Sequence, residues 1–152
     1  MSKTQWGNSA WFLFHTLAEK LKPQYSSSES PRLLASILNI CHNLPCEDCS
    51  NHAMQNIRQL NTRIVHNKET LQHFLWRLHN TVNRQLGKRQ HPFDICKNKY
   101  KLARTNNIIA YFNTSFHMAT HTNTLTLHSG MKKNAKNNMM NYLRHNIHKF
   151  NN

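Results

Sequence analysis

An all-α fold is predicted, on three observations. The 152-residue chain holds only 3 Gly and 4 Pro, too few for an all-β architecture built on tight turns. Apolar residues recur at spacings of three and four along several stretches, which is the helical period. Prolines and capping residues fall between those stretches. The length suggests one domain, with enough chain to bury a core without disulfides to hold it together.

The first helix is "NSAWFLFHTLAEKLKP", with Asn8 or Ser9 as its cap and Pro23 as its stop. Trp11, His15, Ala18 and Leu21 or Lys22 share one face of it. "YSSSES" reads as a polar loop, and Ser30 then caps a second helix with Pro31 in its first turn, where a missing N–H costs nothing. Leu34, Ile37, Leu38 and Cys41 form its apolar stripe. Pro45 restarts the chain into a third helix, with Cys46 and Cys49 in the first turn and Ala53, Ile57 and Leu60 behind them. A polar loop covers about residues 61–69. "TLQHFLWRLHNTVNRQLGK" is the clearest helix, with Leu71, Phe74, Leu75, Leu78, Val82 and Leu86 in period and Gly87 placed as the C′ residue. "FDICKNKYKLA" is a shorter fifth. From about residue 105 the chain turns rich in Asn, His and Thr, and no acid follows Asp94. That segment reads as a basic, poorly specified extension in which "NNMMNYLRHNIHKF" forms at most a weak helix.

Formal charge is +14, from 20 Lys and Arg against 6 Asp and Glu, and the isoelectric point is about 10.1. That balance suits a soluble basic protein or one drawn to polyanions. Abundant Asn beside Lys also fits a coding bias, so nucleic-acid binding is not the expected function. No apolar run reaches the roughly 18 residues of a membrane span, and no apolar stretch marks a secretory signal near the start. Four Cys in such a chain point to catalysis or metal binding rather than to a disulfide scaffold.

"LPCEDCSNHA" holds the most suggestive pair. At a helix start, Cys46 and Cys49 lie one turn apart on one face, which fits disulfide geometry. Unpaired N–H groups and the helix dipole stabilise a thiolate there, while Glu47 and Asp48 oppose it. A zinc set of Cys41, Cys46, Cys49 and His52 is a second reading. Its spacing is poor, because His52 points well around the helix from Cys46. Inert thiols are a third. In "HNTVNRQLGK", His79 and Asn83 stand beside Val82 and Leu86, polar groups in an apolar face. They either satisfy local hydrogen bonds at the core's edge or line a site for a flat heteroaromatic ligand, with Val82 and Leu86 as floor. Trp11 and His15 pose the same choice, between core packing and stacking on a ligand ring.

Together, "WGNSAWFLFH", "PCEDC" and "LHNTVNRQLGK" resemble, in order and spacing, the Erv/ALR family of FAD-linked sulfhydryl oxidases. The likeness covers roughly residues 6–104 and is greatest to the short forms of large DNA viruses. It implies a four-helix bundle with a short fifth helix that holds FAD, so residues 1–104 would be the FAD-binding sulfhydryl oxidase domain and 105–152 an extension. By the resemblance Cys46 and Cys49 are the redox pair, with Cys46 the exposed partner and Cys49 beside the flavin. Gly7, Trp11 and His15 match flavin-contacting positions on the first helix. His79, Asn80, Val82, Asn83 and Leu86 match the fourth-helix flavin motif, Lys88 the basic residue after it, and Tyr100 an aromatic near the adenine. The implied activity makes disulfides in a protein dithiol, of thioredoxin-like or viral thiol-protein type, and passes electrons to oxygen as hydrogen peroxide. No metal is implied. A homodimer is, with a place in the host cytoplasm or the virion, or alternatively the mitochondrial intermembrane space. Cellular relatives tie the fourth helix to the "FDC" segment by a disulfide. Here Trp76 stands at the first position, so Cys96 lacks that partner, and no second shuttle pair is present. A buried free thiol is the expected state of Cys41. Two other classes compete: a noncatalytic module that keeps the fold, and a basic nucleic-acid-associated protein resting on charge alone.

Overall fold

In the computed structural model the described residues are 3–118 and 127–152. They form α1 (Lys3–Lys20), α2 (Ser26–His42), α3 (Glu47–Gln59), α4 (Lys68–Gln85), α5 (Phe93–Lys101), α6 (Thr105–Met118) and α7 (Leu127–Asn146). No strand occurs among the described residues, where the one extended pairing is an isolated bridge between Leu21 and Phe150. The all-α class holds. In the bundle α1 packs on α4, α2 on α3 and α4, and α3 on α4, while short α5 lies against α1 and α4.

Local chemistry explains most boundaries. Cys46 is the N-cap of α3. Asn67 caps α4 in a reciprocal box with Thr70. Gly87, at φ +68°, takes the left-handed C′ position after α4 that the sequence assigns to it. Two helices start earlier than expected, and tertiary contacts are the reason. α1 reaches back to Lys3 because Trp6 is buried, and its carbonyl accepts the Ser9 hydroxyl at 2.9 Å. The expected loop "YSSSES" is instead a 3-10 turn, Pro23–Tyr25, running into α2. Ser26 Oγ there accepts the Lys68 N–H at 2.8 Å, and the Glu29 side chain is buried.

Residues 105–152 also differ from the expected extension. α6 packs along α1, and α7 along α2. Phe112, Phe116, Ala135, Met139, Leu143 and Phe150 join the same core cluster as Leu13, Leu17 and Ile37. Residues 104 and 105 therefore mark no break in packing. Fully burying each large side chain is worth on the order of 1.5–3 kcal/mol. The signal was present at helical spacing in Ile108, Phe112 and Phe116, and in Ala135, Met139 and Leu143, but Asn, Thr and His around them dilute it.

Candidate active site

α3 begins at the cysteine pair. Cys46 and Cys49 are disulfide-bonded, with Cα atoms 5.1 Å apart. Cys46 is extended, with φ −109° and ψ 119°, and its Sγ accepts the Cys49 N–H at 3.2 Å. Buried Ser50 braces the approach, its Oγ accepting the Leu44 N–H at 2.8 Å. Both cysteines are half-buried and Glu47 and Asp48 are exposed. The pair thus sits at a helix N-terminus, where free N–H groups favour a thiolate. The zinc set is not assembled. His52 is exposed, Cys41 is buried as a free thiol, and no group of three or more His, Cys, Asp or Glu is placed to hold a metal among the described residues. Burial pushes the Cys41 thiol up to about 12.

A column of four rings forms where α1, α4 and α5 meet. The Trp11 and His79 rings stack at 4.0 Å and 6°. His15 Nε2 lies 2.9 Å from His79 Nδ1, and the His15 ring stacks on Tyr100 at 4.8 Å and 18°. Burial, then the charges of His79 and Lys99, hold His15 well below the usual histidine range. Burial, then His91, Lys99 and Lys88, bring His79 down to about 4. Both rings are therefore neutral at pH 7, so one donates its N–H to the other. Trp11 and His15 thus make their ring contacts within the protein.

The rest of the α4 motif divides by role. Asn80 spends both ends of its amide on the His91 backbone, Nδ2 donating to the carbonyl at 2.9 Å and Oδ1 accepting the N–H at 3.0 Å. The Trp76 indole donates to the same carbonyl at 2.6 Å and meets the Phe93 ring edge-on at 5.7 Å. These contacts tie α4 to the start of α5. Asn83, one turn beyond His79, is 7% exposed. No hydrogen bond joins its amide side chain to a described residue, while its carbonyl accepts the Lys88 N–H at 2.7 Å. Val82 is half-buried and Lys88 exposed, and Leu86 is 57% exposed, so it is no closed floor. Gly7 is half-buried on α1, with open space where a Cβ would be. α3 joins α4 through reciprocal amide bonds of Asn56 and Gln85, each 2.9 Å.

A small cleft of about 70 Å³ lies between α4 and α5, lined by Trp76, His79, Asn80, Ile95, Lys99 and Tyr100, with His91 and Cys96. Sequence reading passed over Lys99, His91 and Ile95. The Lys99 ammonium sits 5.1 Å from the Phe12 ring and 5.4 Å from the Tyr100 ring. The signal for α5 was the shared face of Cys96, Lys99 and Tyr100, spaced by three and four. Cys96, half-buried, places Sγ 3.8 Å from His15 Nδ1.

A profile of the Erv1/Alr family matches residues 8–102. The chain belongs to the Erv1/Alr family. Its Erv1/Alr relatives include the FAD-linked sulfhydryl oxidase of African swine fever virus (isolate Tick/Malawi/Lil 20-1/1983), 30% identical over 111 residues that cover 73% of this chain and 92% of that one. The Arabidopsis thaliana FAD-linked sulfhydryl oxidase ERV1 is 32% identical over 94 residues, 60% of this chain and 48% of that one. The putative FAD-linked sulfhydryl oxidase 347L of Invertebrate iridescent virus 6 is 27% identical over 106 residues, 63% of this chain and 92% of that one. No solved structure matches. Both the cysteine pair and the ring column lie within the Erv1/Alr match.

Proposed function

We propose that this protein is an FAD-linked sulfhydryl oxidase that makes disulfides in protein dithiols through Cys46 and Cys49. The observation that carries the reading is the Cys46–Cys49 disulfide at the start of α3, inside a chain matched by the Erv1/Alr family over residues 8–102. The residues present fit FAD on chemical grounds. Asn83 offers an amide that makes no side-chain hydrogen bond to a described residue and that a ring's polar edge could engage. Trp11, His15, His79 and Tyr100 offer flat faces, and Lys88 and Lys99 offer positive charge to phosphates. Gly7, Val82 and Leu86 would make apolar or close-approach contacts, and Asn80 would act by fixing the loop that carries Lys88. Residues 1–104 would hold the cofactor, with Cys49 beside it.

A substrate thiolate attacks Cys46 Sγ; the Cys46–Cys49 bond breaks and Cys49 leaves as a thiolate. The second substrate thiolate attacks the substrate sulfur of that mixed disulfide and releases Cys46. The substrate loses two electrons and the pair gains them. Helix α3 stabilises both leaving thiolates through its N-terminal N–H groups, that of Cys49 pointing at Cys46 Sγ. Bound FAD would take the electron pair from the reduced cysteines and deliver it to oxygen as hydrogen peroxide. The viral relatives support a place in the host cytoplasm or the virion, and no described helix is long and apolar enough to cross a membrane.

The test is flavin absorbance of the purified protein, followed by oxygen uptake with a small dithiol. A yellow protein that consumes oxygen and yields peroxide is expected. A folded protein that binds no FAD overturns the proposal. Flavin binding without turnover leaves only the noncatalytic module.

A further inference from the structure

We infer, resting on the oxidase reading above, that the client dithiol lies in a basic segment: Glu47 and Asp48, between the two redox cysteines, select a client whose reacting cysteine is flanked by Lys or Arg.

The first ground is where the negative charge lies. The chain has 6 acids against 20 Lys and Arg. Glu19 and Glu29 are inside the fold, where Gln72 donates to Glu19 and Lys149 pairs with Glu29 at 2.6 Å. The exposed acids are Glu47, Asp48, Glu69 and Asp94. Glu69 and Asp94 stand singly in the first turns of α4 and α5. Glu47 and Asp48, the only acids adjacent in the sequence, share the first turn of α3. Ion pairs among the described residues all involve Glu29, so Glu47 and Asp48 face solvent without a cation. A helix dipole favours an acid in any first turn, as at Glu69 and Asp94. Glu47 and Asp48 differ because the disulfide exchange takes place between them.

The second ground is access. Cys41 is buried and Cys96 lines the cleft between α4 and α5, so no other cysteine stands between the client and the pair. The client therefore meets Cys46 directly and must approach the carboxylates beside it.

The third ground is the charge of the attacking group. A thiolate brings negative charge to Cys46 Sγ. The Cα atoms of Cys46 and Cys49, which bracket both acids, are 5.1 Å apart, inside the screening length of roughly 8 Å at physiological salt. A lone thiolate is thus repelled at the sulfur it has to reach. A Lys or Arg beside the attacking cysteine offsets that repulsion and favours its own thiolate. An acid there adds to the repulsion. The net charge of +14 pulls acidic clients from longer range, where salt screens it, so the charges in contact decide.

The test uses the full chain loaded with FAD and two peptides carrying one Cys-x-x-Cys dithiol, one flanked by Lys and one by Glu. Oxygen uptake gives kcat/KM for each, divided by the value for uncharged dithiothreitol so that effects on the disulfide itself cancel. At physiological salt the Lys-flanked peptide should be favoured by about fivefold or more, as two exposed charge pairs allow. That ratio should shrink towards one at high salt. Glu47→Gln combined with Asp48→Asn should bring it to one or reverse it, and Glu47→Asp combined with Asp48→Glu should keep it. Equal turnover of the two peptides overturns the inference. So does a ratio that persists in the neutral variant, since it then belongs to the peptide thiols alone. A loaded chain that oxidises neither peptide nor dithiothreitol fails as an oxidase, a separate result that removes this inference with it.

Discussion

His15 and His79, 64 residues apart in sequence, share one hydrogen bond of 2.9 Å between Nε2 and Nδ1. That bond needs one ring to donate and the other to accept, so it requires at least one neutral imidazole, and the burial of both rings keeps both neutral. It joins α1 to α4 at the centre of the ring column.

A pH dependence follows with a definite sign. His79 titrates at about 4 in the folded protein, against 6.5 unfolded. Between those values the unfolded chain binds the proton and the folded chain does not, so stability falls as pH drops from about 6.5 towards 4 and levels off below. His15 adds in the same direction. Melting temperature recorded from pH 7 to pH 4 should decline for the native protein and decline less for His79→Gln. Parallel curves for the two would contradict this account.

The four cysteines should behave differently. Cys46→Ser and Cys49→Ser should each abolish dithiol-dependent oxygen uptake, since neither forms the exchanging disulfide. With FAD bound, Cys46→Ser should develop a long-wavelength charge-transfer band from the remaining Cys49 thiolate, and Cys49→Ser should lack it. Cys41→Ser and Cys96→Ser should keep turnover of a small dithiol. With its thiol at about 12 and buried, Cys41 should resist alkylation in the native protein at pH 8. Rapid labelling of Cys41 without unfolding would count against its burial.

Asn80→Ala removes two hydrogen bonds to the His91 backbone, each worth about 1 kcal/mol net. The loop between α4 and α5 contains Lys88 and Arg89, both trypsin sites. Cleavage there should accelerate several-fold relative to the native protein at equal stability elsewhere. An unchanged digestion rate would show that the Trp76 bond alone holds the loop.

Lys149→Ala leaves the buried Glu29 carboxylate with Tyr142 as its close partner. Burial by itself would raise that carboxyl; the Lys149 and Tyr142 hydrogen bonds and the Lys149 and Arg32 charges overcome it and hold it below the usual range. Removing one partner of a buried pair costs on the order of 3 kcal/mol. The loss should appear in urea unfolding at pH 7 and shrink at acid pH, as the native carboxyl is protonated and the pair is lost in both proteins. A loss independent of pH would mean that packing of the lysine stem, not its charge, is what matters.

The sequence by itself determined what depends on neighbours along the chain. Cys46 and Cys49 one turn apart at a helix start, the stripe from Leu71 to Leu78, and Gly87 at the C′ position are each local, and helical period and capping read them directly. The family motifs pointed to the bundle because their order and spacing are linear too. Only the tertiary structure decided what depends on distant partners. α2 begins at Ser26 because Ser26 meets Lys68 and because Lys149 and Tyr142 satisfy Glu29. Asn80 spends its amide on the His91 backbone because the α4–α5 loop brings that backbone within reach. Residues 105–152 join the core because α1 and α2 offer apolar surface to weakly patterned helices. Burial of that surface is a property of the two faces together, and neither segment states it alone.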